Sequence, residues 1–157
     1  MDPSYEISSH RIKALLLEIK KAGHDIGLHP SFDSWNNAKN LKEQKLLIEN
    51  SLGSEVSSCR QHWLRFGWSI TWKAQSVAGI KRDSTLMFND RFGFRNSSVI
   101  SWNPWDPSIE GPHGVKCTNS VLMDSHLYDY KSMDAIERRK WINGIIAECK
   151  LVRGEAF

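Results

Sequence analysis

No run of apolar residues in this 157-residue chain approaches the length of a membrane span, and the opening residues lack the pattern of a secretory signal. The expectation is a soluble, cytoplasmic protein. Cysteine is scarce: Cys59, Cys117 and Cys149 stand far apart and are odd in number. That spacing gives neither a disulfide framework nor a CxxC zinc pattern, so buried reduced thiols are expected. Charge of one sign is also scarce, with a formal net charge of only +3. The one basic cluster, "ERRK" at 137–140, falls on a predicted helix as a solvated face, which argues against a nucleic-acid partner. There is no G-x-S-x-G elbow and no Gly-rich phosphate loop, which disfavours an α/β hydrolase or a phosphate-binding transferase.

What the chain does have is a recurring phrase. Ile12, Leu15, Leu16 and Ile19 recur at helical spacing between Ser9 and Ala22, and Gly23 stops that helix. "HDIGLH" follows as a short apolar segment. A second helix is predicted over 38–52 with Gly53 at its end, and "EVSSC" then leads to Arg60. A third begins near Ser69 and stops at Gly79, and "IKRD" leads to Asp83. Residues 84–118, rich in Gly, Pro, Asn and aromatics, read as a long loop with one or two short strands. "SVLMD" at 120–124 reads as a buried strand delivering Asp124. The last helix carries Ile142, Ile145, Ile146 and Cys149 at i, i+3, i+4, i+7, and "EAF" after Gly154 starts one more strand. Helices alternating with short strands predict a single α/β domain over 1–157, built on a parallel sheet or barrel. Such folds bind ligands at the carboxyl ends of their strands, where His29, Arg60, Asp83 and Asp124 are delivered.

Each candidate has an ordinary reading beside the functional one. His29 at a strand exit is a metal ligand or a structural imidazole. Asp33, four residues on, supplies a ligand oxygen or caps a turn. Arg60 and His62 in "CRQHWLRF" grip a carboxylate or acidic substrate, or form an ion pair. Asp90, Arg91 and Arg95 in "NDRFGFR" suit a polar ligand or satisfy one another. The loop tryptophans, Trp63 among them, stack on sugar rings or cover core edges.

Together "GHDIGLHPSFDS", "SCRQHWLRF", "DSTLMFNDRFGFR" and "VLMDSHLYDY" resemble polysaccharide deacetylases, in particular a bacterial branch associated with surface-polysaccharide and O-antigen gene clusters. The resemblance runs from about residue 9 to the end. It implies a distorted (β/α) barrel with a divalent metal, usually zinc, at the carboxyl ends of the strands. It also implies hydrolysis of an acetyl group on a sugar, with a metal-bound water, an Asp base and a His acid. On that pattern His29 matches the first metal ligand, and Asp33 stands where a second His is usual. Arg60 matches the Arg that orients the catalytic Asp. His62 stands where Pro is usual, as a substitute ligand or an acid. Asp90 and Arg95 match a loop motif of this branch.

Two elements of the pattern are missing. The family's opening strand carries an Asp pair, and nothing before residue 9 reads as that strand. Its closing strand carries the acid His, and this sequence stops at "GEAF" near where that strand starts. The expectation is a barrel without its first and last strands, its apolar edges covered by missing segments or a second copy. A relative that binds carbohydrate without catalysis is the second functional reading.

Overall fold

The computed structural model describes residues 5–155. Helix α1 (His10–Lys21) stops at Gly23, whose φ of +86° is the left-handed conformation an L side chain resists. Helix α2 (Ala38–Leu52) starts at Asn37, whose side chain accepts from the backbone N–H of Asn40 at 3.1 Å. Helix α3 spans Thr71–Val77. The strands between them are short: β1 (Ser58–Cys59), β2 (Arg82–Asp83) and β5 (Lys116–Cys117) form one parallel sheet in the order β1-β2-β5. Leu28 extends it by a parallel bridge to Cys59, and Trp102 lies antiparallel beside Cys117. A separate two-stranded hairpin pairs β3 (Trp105–Asp106) with β4 (Gly111–Pro112). Helices α4 (Asp124–Tyr128) and α5 (Ala135–Leu151) follow.

The alternation of side chains along each strand divides the sheet into two unlike faces. Leu28, Cys59, Asp83 and Cys117 are all buried. Leu28 and Cys59 join Leu41, Leu52, Val56, Ala74, Ala78 and Ile80 in the core under α2 and α3. A second cluster gathers Trp72, Leu86, Val115 and Cys117, with Phe66 and Trp102 against it. The opposite face carries the register row Ser58, Arg82 and Lys116, none of which is buried. Gly27 belongs to this face too: a Cβ there would lie 2.7 Å from the Ser58 hydroxyl, so the approach needs glycine. Among the described residues the sheet does not close into a barrel.

Three sequence expectations are corrected. The strand read at 120–124 lies earlier, at Lys116–Cys117, and 124 opens a helix instead. A short apolar run cannot by itself place a strand. Asp124 is therefore exposed at the start of α4 rather than delivered by a strand. The apolar stripe of α5 buries only Cys149, while Ile146 is exposed. That helix is fixed locally by a capping box: Asp134 accepts from the N–H groups of Ile136 and Glu137, and Glu137 returns a bond to the N–H of Asp134. The strand expected at "EAF" lies mostly outside the described residues.

All three cysteines are free and buried, as their spacing suggests. Burial pushes the Cys59 thiol well above its ordinary range and the Cys117 thiol to about 12. At pH 8 a thiol of that kind is about a thousandfold less ionised than an ordinary one, and the thiolate is the nucleophile. Alkylation of the native protein with iodoacetamide is accordingly expected to leave Cys59 and Cys117 unmodified over a time that labels them fully in urea. Rapid native labelling would show that these two strands open.

Candidate functional site

The bridge between Leu28 and Cys59 sets the register at the carboxyl end of the sheet: the backbone N–H of Arg60 donates to the Leu28 carbonyl at 3.0 Å. His29 and Arg60 are each one residue beyond the bridged pair, so they share the open face, opposite to Leu28 and Cys59. Ser84 follows β2 and reaches the same place. Arg60 Nε donates to Ser84 Oγ at 3.1 Å, and its Nη2 donates to Ser120 Oγ at 2.7 Å. Burial lowers the guanidinium's affinity for its proton, and the negative charge of Asp83 across the sheet opposes that effect.

His62 comes to the site through a single 3-10 turn, His62–Leu64. Its ring centroid lies 5.0 Å from that of His29. The next two residues, Trp63 (φ 55°) and Leu64 (φ 52°), both occupy the left-handed region without being glycine. That turn leaves the Trp63 indole 71% exposed, stacked beside His62 and edge-on to Phe32.

Asp33 sits on the 3-10 turn Phe32–Ser34, and its Oδ1 pairs with Arg65 Nη1 at 2.9 Å. Arg65 also donates to the Phe32 carbonyl and lies 4.0 Å over the Phe32 ring, so one guanidinium clamps the loop after His29. Because the pair is exposed, Arg65→Ala should cost only about 1 kcal/mol of stability. Limited proteolysis is the sensitive check, with faster cleavage expected within residues 30–36.

The structure brings together His29, Arg60, His62 and Trp63, with Asp33 tied in through Arg65. Asp90 and Arg91 pair with each other at 3.9 Å on the exposed loop after β2, and Arg95 is half-buried further along it. No hydrogen bond or ion pair joins any of these three to Arg60. Asp83, expected at the mouth of the sheet, faces the other way. Its carboxylate is fully buried and accepts from Trp72 Nε1 at 3.1 Å, Gln75 Nε2 at 2.8 Å and the Thr85 hydroxyl. Burial raises its pKa above the ordinary carboxylate range, and these donors pull against the rise. Sequence reasoning passed over Ser84, Ser120 and Arg65. The only signal for the serines was their position just past the strands, and for Arg65 its place three residues after His62.

A divalent metal suits the chemistry of two imidazoles 5.0 Å apart. Among the described residues, however, no three of His, Cys, Asp and Glu converge on one point. The fit is in donor type, for two ligands. No helix among the described residues is long and apolar enough to cross a membrane.

No family model matches the chain, and no curated protein matches it. Among solved structures it is similar to a Mycobacterium smegmatis protein described as a polysaccharide deacetylase, with a TM-score of 0.65 and 16% identity. The match covers 96% of this chain and 54% of that one, so the chain spans about half the length of that structure. At this identity the likeness is one of architecture: the chain has the mixed α/β fold, with its parallel sheet, of part of a polysaccharide-deacetylase structure.

Proposed function

We propose that the chain is part of a metal-dependent deacetylase acting on an acetylated sugar, in the synthesis of a bacterial surface polysaccharide of the O-antigen type. The observation that carries this reading is the imidazole pair His29–His62, beside Arg60, at the carboxyl ends of a parallel sheet of deacetylase architecture. In this reading His29 and His62 would hold the metal. Asp33, oriented by Arg65, is the nearby carboxylate that the family pattern assigns to the metal.

A bound zinc ion would polarise the acetyl carbonyl and lower the pKa of a water. The chain's own residues would do the rest. Trp63 offers an exposed indole on which a sugar ring stacks. Arg60, fixed by Ser84 and Ser120, orients an acidic group at the reacting end. Asp90, with Arg91 and Arg95 on the neighbouring loop, would serve the substrate from the side, with Asp90 handling a proton there. Substrate arrives from solvent, and segments outside the described residues or a second copy would cover the sheet edges.

The test is acetate release from N-acetylated and O-acetylated oligosaccharides, with and without a chelator. Chelator-sensitive release that Arg60→Gln lowers about a hundredfold or more is expected. Absence of release from every acetylated sugar would reject the catalytic part.

The second reading is a carbohydrate-binding relative without catalysis. The exposed Trp63 indole, stacked beside His62, favours it. It requires saccharide to quench tryptophan fluorescence, with the quenching lost in Trp63→Ala and no acetate formed. Acetate formation would remove this reading.

A further inference from the structure

We infer that Thr85 is a positioning residue of the candidate site: its buried hydroxyl, backed by Asp83, sets the bend that carries Arg60 and His62. Its effect on zinc rests on the metal reading above; its effect on where the two imidazoles sit does not.

The starting point is how the sheet ends. The parallel ladder between β1 and β2 stops at the pair Cys59 and Asp83, where the Ser84 N–H donates to the Cys59 carbonyl at 2.9 Å. If the strands ran on, the N–H of Gln61 would donate next to the Ser84 carbonyl. That carbonyl accepts from Ser120 Oγ at 2.9 Å instead, and the Gln61 N–H donates at 3.0 Å to the hydroxyl of Thr85. A side chain has taken the place of the backbone acceptor.

The hydroxyl has a fixed direction. Because Thr85 Oγ1 accepts from Gln61, its own proton goes to Asp83 Oδ1. Asp83 is held in turn by Trp72 Nε1 and Gln75 Nε2 of α3. Gln61, Asp83 and Thr85 are all 0% exposed, so no water competes for these bonds. The Gln61 side chain adds little of its own. Its Nε2 reaches only Cys59 Sγ, at 3.5 Å, and its Oε1 is buried without a hydrogen bond among the described residues. The main-chain bond to Thr85 is therefore what ties this residue to the sheet.

Gln61 stands between Arg60 and His62 and is still extended, with φ −66° and ψ 141°. With Gln61 facing inward, its two neighbours face outward. On that outer side Ser84, between Asp83 and Thr85, accepts from Arg60 Nε at 3.1 Å. The segments Cys59–Gln61 and Asp83–Thr85 are thus locked together from both faces. The 3-10 turn begins at the next residue, His62, and its ring comes to rest 5.0 Å from that of His29.

The test compares Thr85→Val, which keeps the volume and loses the hydroxyl, with Thr85→Ser, which retains it. In the first, the Gln61 N–H is expected to turn to the Ser84 carbonyl and carry its neighbours with it. NMR of the metal-free chain, with labelled histidine, reads the nuclear Overhauser contact between the His29 and His62 rings. That contact should be present in the wild type and in Thr85→Ser and lost in Thr85→Val. Zinc affinity, by competition with a chelating dye, should fall about tenfold or more in Thr85→Val and return in Thr85→Ser. Circular dichroism confirms that each variant is folded; if Thr85→Val is not, the decision rests on Thr85→Cys, whose thiol accepts poorly. A folded variant with a lower Tm but the wild-type ring contact and zinc affinity would make Thr85 purely structural and overturn the inference. Failure of Thr85→Ser to restore them would overturn it too. If the wild type binds no zinc while the ring contact still follows the hydroxyl, the metal reading fails and the role of Thr85 stands.

Discussion

His29→Ala is expected to weaken zinc binding at least about a hundredfold, measured by competition with a chelating dye. Loss of groups that merely orient a ligand already costs tenfold to a hundredfold in affinity. His29 is the better placed of the two imidazoles, one residue past the bridge that joins Leu28 to Cys59, where the backbone is held by the sheet. His62 arrives on a 3-10 turn whose next two residues, Trp63 and Leu64, hold left-handed φ values without being glycine. The same variant should leave thermal stability nearly unchanged, because the side chain is exposed. Equal zinc affinity in the variant would remove the metal from the account.

The largest expected loss of stability lies elsewhere, at Asp83. Replacing it with Ala would leave Trp72 Nε1, Gln75 Nε2 and the Thr85 hydroxyl buried without their acceptor. A buried donor left unpaired costs about 1–3 kcal/mol, and these three share one acceptor, so roughly 4 kcal/mol in total is expected. For a chain of this length that lowers Tm by about 10 °C.

The pH dependence has a definite sign. Burial raises the Asp83 pKa in the folded state, so the native protein holds this proton more tightly than the unfolded chain does. The contribution is most favourable below the ordinary carboxylate pKa and is lost as pH rises through the raised one. Asp83→Asn, which does not titrate, should flatten that part of the stability profile. A wild-type profile that climbs through the same window, with the climb absent from Asp83→Asn, would mean the hydrogen bonds to the carboxylate outweigh its desolvation.

The sequence displayed the longer helices well, because their boundaries are written in neighbouring residues. Helix α2 begins after Asn37 and ends at Gly53, as its cap and stop residues specify. The strands were harder, since each ladder is only two residues long and an apolar run such as "SVLMD" has no period to distinguish strand from loop. At the candidate site, His29, Arg60 and His62 were visible as polar residues just past short apolar segments. The opposite orientation of Asp83 was not, because it depends on Trp72 and Gln75 of α3 packing across the sheet. The Asp33–Arg65 clamp joins residues thirty-two apart in sequence and likewise depends on how the two turns dock.

In the proposed function the imidazoles of residues 29 and 62 grip one cation at the carboxyl end of the sheet. X-ray absorption on the zinc-loaded chain measures this directly. Two imidazole shells in the native protein, falling to one in His62→Ala, is the predicted result; a spectrum identical in the two proteins would contradict it.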